Sequence, residues 1–276
     1  MSAITQHFDV GISYLRCDGG GPIPIVLLHG IGSNAHSFAP LMAALNCAYP
    51  TLAWNAPGYA ESTPLNIEWP DASDYAEALD RLLRHLNVTR CILLGHSLGC
   101  LMAARYAVTL KQKVAALILI SPATGYRSPQ GCALPSAVAK RIDELDRLGP
   151  EEFAAQRASG LLADGADRPD VLEAVRSAMA AVRRPGYDQA ARLLATGNIF
   201  EDAAKVEVPA AVINGDKDHV TPAARGQLLY EALQVSSSHH FFRVIGNAGH
   251  AVCQEQPAEV ARVTVEFLES KAPVHA

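Results

Sequence analysis

The sequence predicts an α/β protein, in which a mostly parallel, doubly wound sheet carries an inserted helical segment. Three observations lead to this fold class. Short apolar runs recur along the 276 residues, and runs that are continuous rather than alternating are typical of strands buried on both faces. Amphipathic stretches separate most of these runs. One long interval, residues 126–199, interrupts the alternation because it contains no strand-like run.

The predicted strands begin near the N-terminus, where residues 7–17 alternate weakly between apolar and polar side chains. Six later runs have the length of a strand, and most of them are continuously apolar. They are residues 24–30, 51–57, 91–96, 114–121, 210–215 and 241–246. Continuous apolar runs favour strands of a parallel sheet that helices cover on both sides.

The predicted helices lie between the runs and carry apolar residues at spacings of three and four. They are residues 36–46, 73–86, 98–110 and 257–270. Pro257 suits the first position of a helix, where a backbone N–H would have no intrahelical partner. Strands that alternate with helices in this way indicate a doubly wound sheet.

The interval at residues 126–199 is rich in Ala, Arg and Glu and is punctuated by Pro and Gly, which predicts several short helices. Three interpretations remain open: extra helices that cover the sheet, a separate domain, or a lid over the sheet edge. A crossover of this length favours the lid. The predicted organisation is therefore a core of residues 1–125 and 200–276 with a helical cap at residues 126–199.

Composition and charge exclude several classes of protein. The net charge is −5 and no basic run occurs, so we expect no nucleic-acid partner. No apolar stretch approaches the length of about 18 residues that spans a bilayer, and the first ten residues do not resemble a secretory signal. The six cysteines form no CxxC pair and no zinc-like cluster. We therefore expect a cytoplasmic protein with reduced thiols, no bound metal and no membrane association.

One short motif indicates chemistry: the pentapeptide GHSLG at residues 95–99, which places Ser97 between two glycines. Alone it is weak, because such a pattern arises by chance in about one chain in ten of this length. Its context is more specific, since it joins a predicted buried strand to a predicted helix. A sharp turn there would expose Ser97 Oγ above the sheet as a nucleophile. An ordinary turn serine is the alternative.

A serine hydroxyl needs a base that takes its proton, and the base needs an acid that orients it. Both residue types follow later strands. Asp216 and Asp218 come directly after the run at 210–215, and His250 comes shortly after the run at 241–246. The order Ser, Asp, His is the one expected for a serine at such a turn. The residues alone leave Asp216 and Asp218 open as the acid.

The transition state of acyl transfer also needs donors for an oxyanion. The loop after the run at 24–30 supplies one candidate, the backbone N–H of Ile31, and the helix start after Ser97 supplies the backbone N–H of Leu98. Glycines at positions 30 and 32 would let this loop approach a substrate closely.

Together these motifs resemble the α/β-hydrolase fold over nearly the whole chain. The matching features are His29-Gly30, Pro57-Gly58-Tyr59, the turn at Ser97, Gly215 with Asp218, and Gly249-His250. Within that family the chain resembles small esterases and the 3-oxoadipate enol-lactonase branch. The resemblance implies that Asp218 is the acid, that Asp216 is a turn residue, and that no cofactor is required.

The chain departs from the family pattern at three positions. Asn55 and Ala60 stand where an acid and a second glycine are usual, and this affects the expected shape of that turn. Cys100 stands where a glycine is common, and we expect it to pack rather than to react.

Further histidines and arginines have simpler interpretations. His29 is expected to shape its loop, His96 and His219 to be structural, and the pair His239-His240 to lie on the surface. The pair Arg183-Arg184 is interpreted as a solvated face of the cap, with contact to a substrate carboxylate as the alternative.

The predicted function is hydrolysis of a small, mostly apolar ester or lactone through an acyl-enzyme, with Ser97, His250 and Asp218 as the triad. A serine at residue 97 argues against haloalkane dehalogenases and epoxide hydrolases, which use an aspartate there. Three alternatives remain: a carbon–carbon bond hydrolase, which residues 31–34 match poorly, a cofactor-free perhydrolase, and a ligand receptor with very slow turnover. The sequence predicts no oligomeric state.

Overall fold

A computed structural model describes residues 3–45, 48–163, 168–234 and 240–271. Its eight-stranded sheet has the order β1-β2-β4-β3-β5-β6-β7-β8. The two pairings that involve β2 are antiparallel, and the remaining pairings are parallel. The strands are β1 (Thr5–Asp9), β2 (Ile12–Cys17), β3 (Ile25–Leu28), β4 (Thr51–Trp54), β5 (Cys91–His96), β6 (Val114–Ile120), β7 (Ala210–Gly215) and β8 (His240–Ile245). This topology confirms the predicted mostly parallel, doubly wound sheet.

The four predicted helices are present within a few residues of their expected bounds, and the first of them opens with a 3₁₀ turn at Ala35–Phe38. Helix α8 is not among the predicted helices, although Leu229 and Leu233 on it are buried at helical spacing. The helices are α1 (Ala39–Leu45), α2 (Ala72–His85), α3 (Gly99–Thr109), α4 (Ser136–Arg157), α5 (Pro169–Ala180), α6 (Gly186–Thr196), α7 (Ile199–Ala203), α8 (Ala223–Gln234), α9 (Val252–Glu255) and α10 (Pro257–Ser270).

Two apolar layers cover the sheet, because successive side chains of a strand point to opposite faces. In β3, Val26 and Leu28 join a cluster with α2, α3 and α8. Ile25 and Leu27 join a second cluster with α1 and α10. Burial on both faces explains why the strand sequences are continuously apolar. Within the described ranges, no helix is long and apolar enough to cross a membrane.

The segment between β6 and β7 contains no strand in its described parts, residues 126–163 and 168–199, and it forms α4, α5 and α6. Helix α4 is interrupted at Gly149, whose φ is +73°.

Helix α6 is tied closely to the core of the molecule. The Gln189 side-chain amide donates to the carbonyl oxygens of Leu65 and Ile67, at 2.7 Å each. The two ends of the helix are fixed by close backbone contacts. A Cβ atom at Gly186 would overlap the backbone of Gly58, and one at Gly125 would overlap the backbone of Gly197.

Candidate active site

Ser97 occupies the tight turn between β5 and α3. Its φ is +54°, a left-handed conformation that is uncommon for a residue with a side chain. Its N–H donates to the Ile120 carbonyl oxygen at 2.9 Å, and its own carbonyl oxygen accepts from Ala123 N at 3.1 Å. The turn is this close to the sheet because a glycine follows it: a Cβ atom at Gly99 would overlap the Leu28 carbonyl oxygen. The local sequence therefore holds Ser97 in a strained backbone conformation.

Asp218 and His250 meet at the carboxyl ends of β7 and β8. The distance from His250 Nδ1 to Asp218 Oδ2 is 3.0 Å, and both side chains are buried. Since a carboxylate accepts, Nδ1 carries the proton and Nε2 is left as an acceptor. In this tautomer His250 is able to take a proton through Nε2.

The Asp218 carboxylate has three further donors. Its Oδ1 accepts from the backbone N–H groups of Val220 and Thr221, at 2.9 and 2.8 Å. The Thr221 hydroxyl lies 2.8 Å from Oδ2. Burial by itself would raise the pKa of Asp218, but His250 and these Thr221 hydrogen bonds outweigh it and hold the pKa well below its usual range. Asp218 is therefore ionised at neutral pH.

Asp216 has a different role. Its Oδ1 accepts a hydrogen bond from the backbone N–H of Ala248, at 3.1 Å. The structure thus brings Asp218, and not Asp216, to His250, and it places Asp216 in the adjoining turn.

A cavity of about 670 Å³ lies over this edge of the sheet. Ser97 and His250 line it, as do Ile31 and Leu98, whose backbone N–H groups are the predicted oxyanion donors. The inserted segment lines the opposite part, with contributions from each of its three helices: Arg141, Met179 and Leu194.

The loop that carries Ile31 is held by buried polar side chains. His29 Nδ1 donates to the Gly30 carbonyl oxygen at 2.8 Å, and its Nε2 accepts from Ala56 N at 3.0 Å. Burial lowers the pKa of His29 to about 4. The Tyr59 hydroxyl donates to the Ile31 carbonyl oxygen at 2.7 Å. These contacts fix the direction of the Ile31 peptide.

The unusual turn after β4 also supports this loop. Asn55 Oδ1 accepts from Ala35 N at 2.8 Å, and Asn55 Nδ2 donates to Ser13 Oγ at 2.9 Å. Ala60 has a φ of +46°, so it adopts the left-handed conformation for which the family uses glycine. Ala60 therefore keeps the turn, and Asn55 joins the turn to Ala35, four residues after Ile31.

His96 lines the cavity beside His250. Its Nε2 donates to the His250 carbonyl oxygen at 2.7 Å, and the two ring centroids are 5.0 Å apart. Burial lowers the pKa of His96 to about 3, and the neighbouring His250 is the next largest cause. As a neutral imidazole, His96 holds the backbone of His250 at the edge of the cavity.

Glu255 was not predicted as a site residue from the sequence, although its carboxylate joins the His250 loop to the inserted segment. Its Oε2 accepts from Gly249 N at 2.7 Å, and its Oε1 accepts from Ala163 N at 2.8 Å. The Ala251 N–H donates in turn to the Leu161 carbonyl oxygen at 2.9 Å. The loop of His250 is thereby fastened to the inserted segment. Nothing local in the sequence marks Glu255, because its partners are backbone N–H groups, and one of them, Ala163, is distant along the chain.

The expectation that the pair His239-His240 lies on the surface is wrong for His240. His240 is buried rather than on the surface, because its Nδ1 accepts from Ala210 N at the start of β7; His239 lies outside the described residues. Neither Arg183 nor Arg184 lines the cavity. Arg184 instead pairs with Asp146 and Asp188, so the first interpretation, a solvated face, fits this pair.

Cys100 is buried behind Ser97, and its thiol lies 3.1 Å from the Gly95 carbonyl oxygen. Burial raises its pKa well above the ordinary value, which makes it a poor nucleophile. Across the described ranges, no three His, Cys, Asp or Glu side chains are grouped so that they could hold a metal ion.

The site combines a serine on a strand–turn–helix with a buried Asp–His pair, at a cavity over the edge of a mostly parallel sheet. This combination is typical of one class of hydrolases. Residues 23–257 match the model of the family described as alpha/beta hydrolase fold, and the chain belongs to that family.

Relatives within the family have several activities. A 2-hydroxy-6-oxononadienedioate/2-hydroxy-6-oxononatrienedioate hydrolase of Pseudomonas putida is 27% identical over 91% of this chain and 89% of its own. A pimeloyl-(acyl-carrier protein) methyl ester esterase of Chromobacterium violaceum is 28% identical over 92% of this chain and 97% of its own. The crystal structure of the enol-lactonase from Burkholderia xenovorans LB400 has a TM-score of 0.83 at 20% identity, over 96% of this chain and all of that one. These findings confirm the predicted resemblance to esterases and the enol-lactonase branch.

Proposed function

We propose that this protein is a serine hydrolase that cleaves a small carboxylic ester or lactone through an acyl-enzyme. The observation that carries the proposal is the 3.0 Å contact between His250 Nδ1 and Asp218 Oδ2, at a cavity that Ser97 also lines. That contact leaves His250 Nε2 unprotonated, as a serine nucleophile requires of its base.

In this mechanism Ser97 Oγ attacks the carbonyl carbon while His250 Nε2 takes the hydroxyl proton. Asp218 stabilises the imidazolium that results, and the N–H groups of Ile31 and Leu98 stabilise the oxyanion. His250 returns its proton to the leaving alcohol oxygen. A water molecule then attacks the acyl-enzyme with His250 again as the base, which releases the acid and restores Ser97.

The size of the cavity supports a small substrate. About 670 Å³ lies within the range of sites for small molecules. Much of the wall that the inserted segment supplies is apolar, including Ala178, Met179 and Leu194. An ester or lactone of metabolite size would fit in this space together with its leaving group and pack against the apolar wall.

The test is a series of p-nitrophenyl esters with acyl chains of two to sixteen carbons, assayed beside 3-oxoadipate enol-lactone. We expect the highest kcat/KM at short chains, and labelling of Ser97 alone by a fluorophosphonate. An optimum at long chains would contradict the small-substrate proposal. Label on another serine would contradict the assignment of the nucleophile, and turnover slower than hours would favour the receptor alternative.

A second candidate is carbon–carbon bond hydrolysis. The relative from Pseudomonas putida favours it, because the substrate in its name carries a ketone and no ester, so that its hydrolysis breaks a bond between carbons. Turnover of 2-hydroxy-6-oxononadienedioate, compared with the same ester series, separates the two functions. A kcat/KM on the dienedioate well above that on every ester would replace the ester proposal.

A further inference from the structure

The charged side chains that line the cavity all have one sign. Four of them are arginines, and no aspartate or glutamate side chain is among the described lining residues: Arg127, Arg141, Arg157 and Arg225. The chain as a whole carries a net charge of −5. The positive lining is therefore a local feature, opposite to the average charge of the molecule.

Two of these arginines belong to α4 and differ in their partners. Arg157 is paired with Glu144, and its guanidinium also stacks over the Phe153 ring at 5.1 Å. Arg141 is partly buried, and its nearest polar contact is the Tyr187 hydroxyl at 3.5 Å. Throughout the described part of the chain, no carboxylate oxygen lies within 4 Å of the Arg141 guanidinium. Arg157 is thus neutralised by the protein, and Arg141 is not.

An unmatched guanidinium beside an apolar wall is unfavourable unless a counter-ion reaches it. Ala137, one turn earlier on the same face of α4, lines the cavity with Arg141, and Val175 and Met179 supply further apolar wall. The planar guanidinium presents paired N–H donors that match the two oxygens of a carboxylate. A ligand with an apolar chain and a terminal carboxylate would pack against the apolar wall and pair with the charge of Arg141.

The other two arginines lie where solvent reaches the cavity. Arg127 and Arg225 are exposed, and Arg127 lies over the Phe200 ring at 5.3 Å. Exposed charges of one sign beside a cleft raise the local concentration of ligands of the opposite sign. These two residues favour entry of an anion, while their exposure makes them weaker as binding groups.

We propose that Arg141 binds a carboxylate of the substrate, so that the ester or lactone cleaved at Ser97 is an anion with one carboxylate remote from the scissile bond. The inference rests on the proposed function for the identity of that bond. The carboxylate site itself does not depend on the chemistry at Ser97, and it can be tested without turnover.

The kinetic test compares two esters of equal acyl length, mono-p-nitrophenyl glutarate and p-nitrophenyl valerate. Wild type should favour the glutarate at least tenfold in kcat/KM. Arg141→Gln should lower the glutarate value by roughly 10- to 100-fold and leave the valerate value within about twofold. Arg141→Lys should fall between. Arg147→Gln, an exposed arginine on the same helix outside the cavity, is the matched control and should behave as wild type. An equal loss on both esters would show a structural role and overturn the proposal.

The binding test measures hexanoate, hexanamide and pentyl phosphate by isothermal titration calorimetry, with no reaction required. Hexanoate should bind at least tenfold more tightly than hexanamide to wild type and to Arg147→Gln, but not to Arg141→Gln. If no ester is hydrolysed and this binding pattern holds, the proposed function fails while the carboxylate site stands. Equal binding of hexanoate and hexanamide, or tighter binding of pentyl phosphate than of hexanoate, would overturn the carboxylate assignment.

Discussion

The loops at the carboxyl edge of the sheet and the inserted helical segment border the same cavity, but they satisfy their polar groups differently. In the loops, Asp218 has donors from three residues and both ring nitrogens of His29 are bonded. In the segment, Arg141 lines the cavity and has no described carboxylate partner. Redundant bonding fixes chemical groups before the substrate arrives. The inserted segment instead has a guanidinium without a carboxylate partner, and a ligand can supply that partner.

The largest effect is expected at Ser97. Ser97→Ala should lower kcat by roughly five to six orders of magnitude, because the hydroxyl that forms the acyl-enzyme is gone. The unfolding free energy should stay nearly unchanged, since the strained turn is held by backbone bonds. Ser33→Ala removes another hydroxyl of the same cavity and serves as the control, with kcat within about threefold of wild type. High residual activity in Ser97→Ala would show that Ser97 is not the nucleophile.

Asp218→Asn should lower kcat by about four orders of magnitude. The amide would favour the wrong tautomer of His250 and would no longer stabilise its charged form. Asp216→Asn keeps an oxygen for the Ala248 N–H and should retain most activity. Steady-state kinetics of the two variants decide the matter. The reverse ranking would mean that Asp216, and not Asp218, is the acid of the triad.

His29 should make stability depend on pH. Its pKa in the folded protein is about 4, below the value near 6.5 of the unfolded chain. Between these values the unfolded state binds more protons, so acidification destabilises the fold. About 3 kcal/mol of unfolding free energy should be lost as the pH falls from 6.5 to 4, and His29→Gln should lack this part of the slope. Urea unfolding at each pH provides the measurement. The exposed His36, changed to Gln, should leave the slope as in wild type, and an unchanged slope in His29→Gln would refute the assignment.

Glu255→Gln tests the link between the two regions. A glutamine has one carbonyl oxygen, so one of the N–H groups of Gly249 and Ala163 would lose its acceptor. We expect a loss of about 1–3 kcal/mol in unfolding free energy, together with a fall in kcat/KM as the His250 loop loosens. Glu259→Gln, which removes an exposed acid paired with Arg262, should cost less than about 1 kcal/mol. Equal effects of the two changes would show that the link contributes little.

The smallest effect on activity is expected from Arg184→Gln, because Arg184 does not line the cavity. Its guanidinium pairs with the half-exposed Asp146 and with the buried Asp188, so its removal should cost about 1–3 kcal/mol of unfolding free energy. The ratio of glutarate to valerate turnover should stay as in wild type. A lost preference in this variant would move the carboxylate site from Arg141 to the outer face of the segment.

The sequence predicted the sheet, and it predicted that the candidate site residues share one edge of the sheet, for a physical reason. Parallel strands that are buried on both faces are continuously apolar, and their carboxyl ends meet at one edge. Ser97, Asp218 and His250 each follow such a strand closely. Their positions in the sequence therefore indicate that they lie near one another at that edge.

The inserted segment was less predictable. Its helices are evident from composition, but which face of each helix meets the cavity depends on packing between elements. The sequence offered Arg183 and Arg184 only as alternative contacts for a substrate carboxylate and did not indicate Arg141 of α4, which lines the cavity. His240 misled for a related reason: a histidine near a loop suggests the surface, yet its ring bonds the backbone of the neighbouring strand β7. Glu255 was missed because its partners are backbone groups that no local pattern indicates.

The glycine contacts at the two ends of α6 bear on how molecules enter and leave the cavity. Gly186 touches Gly58, and Gly197 touches Gly125, with no room for even one additional carbon at either place. A helix fastened at both ends cannot swing or slide without separating backbone from backbone. We therefore expect α6, which contributes Leu194 to the cavity, to keep its place when substrate and product pass.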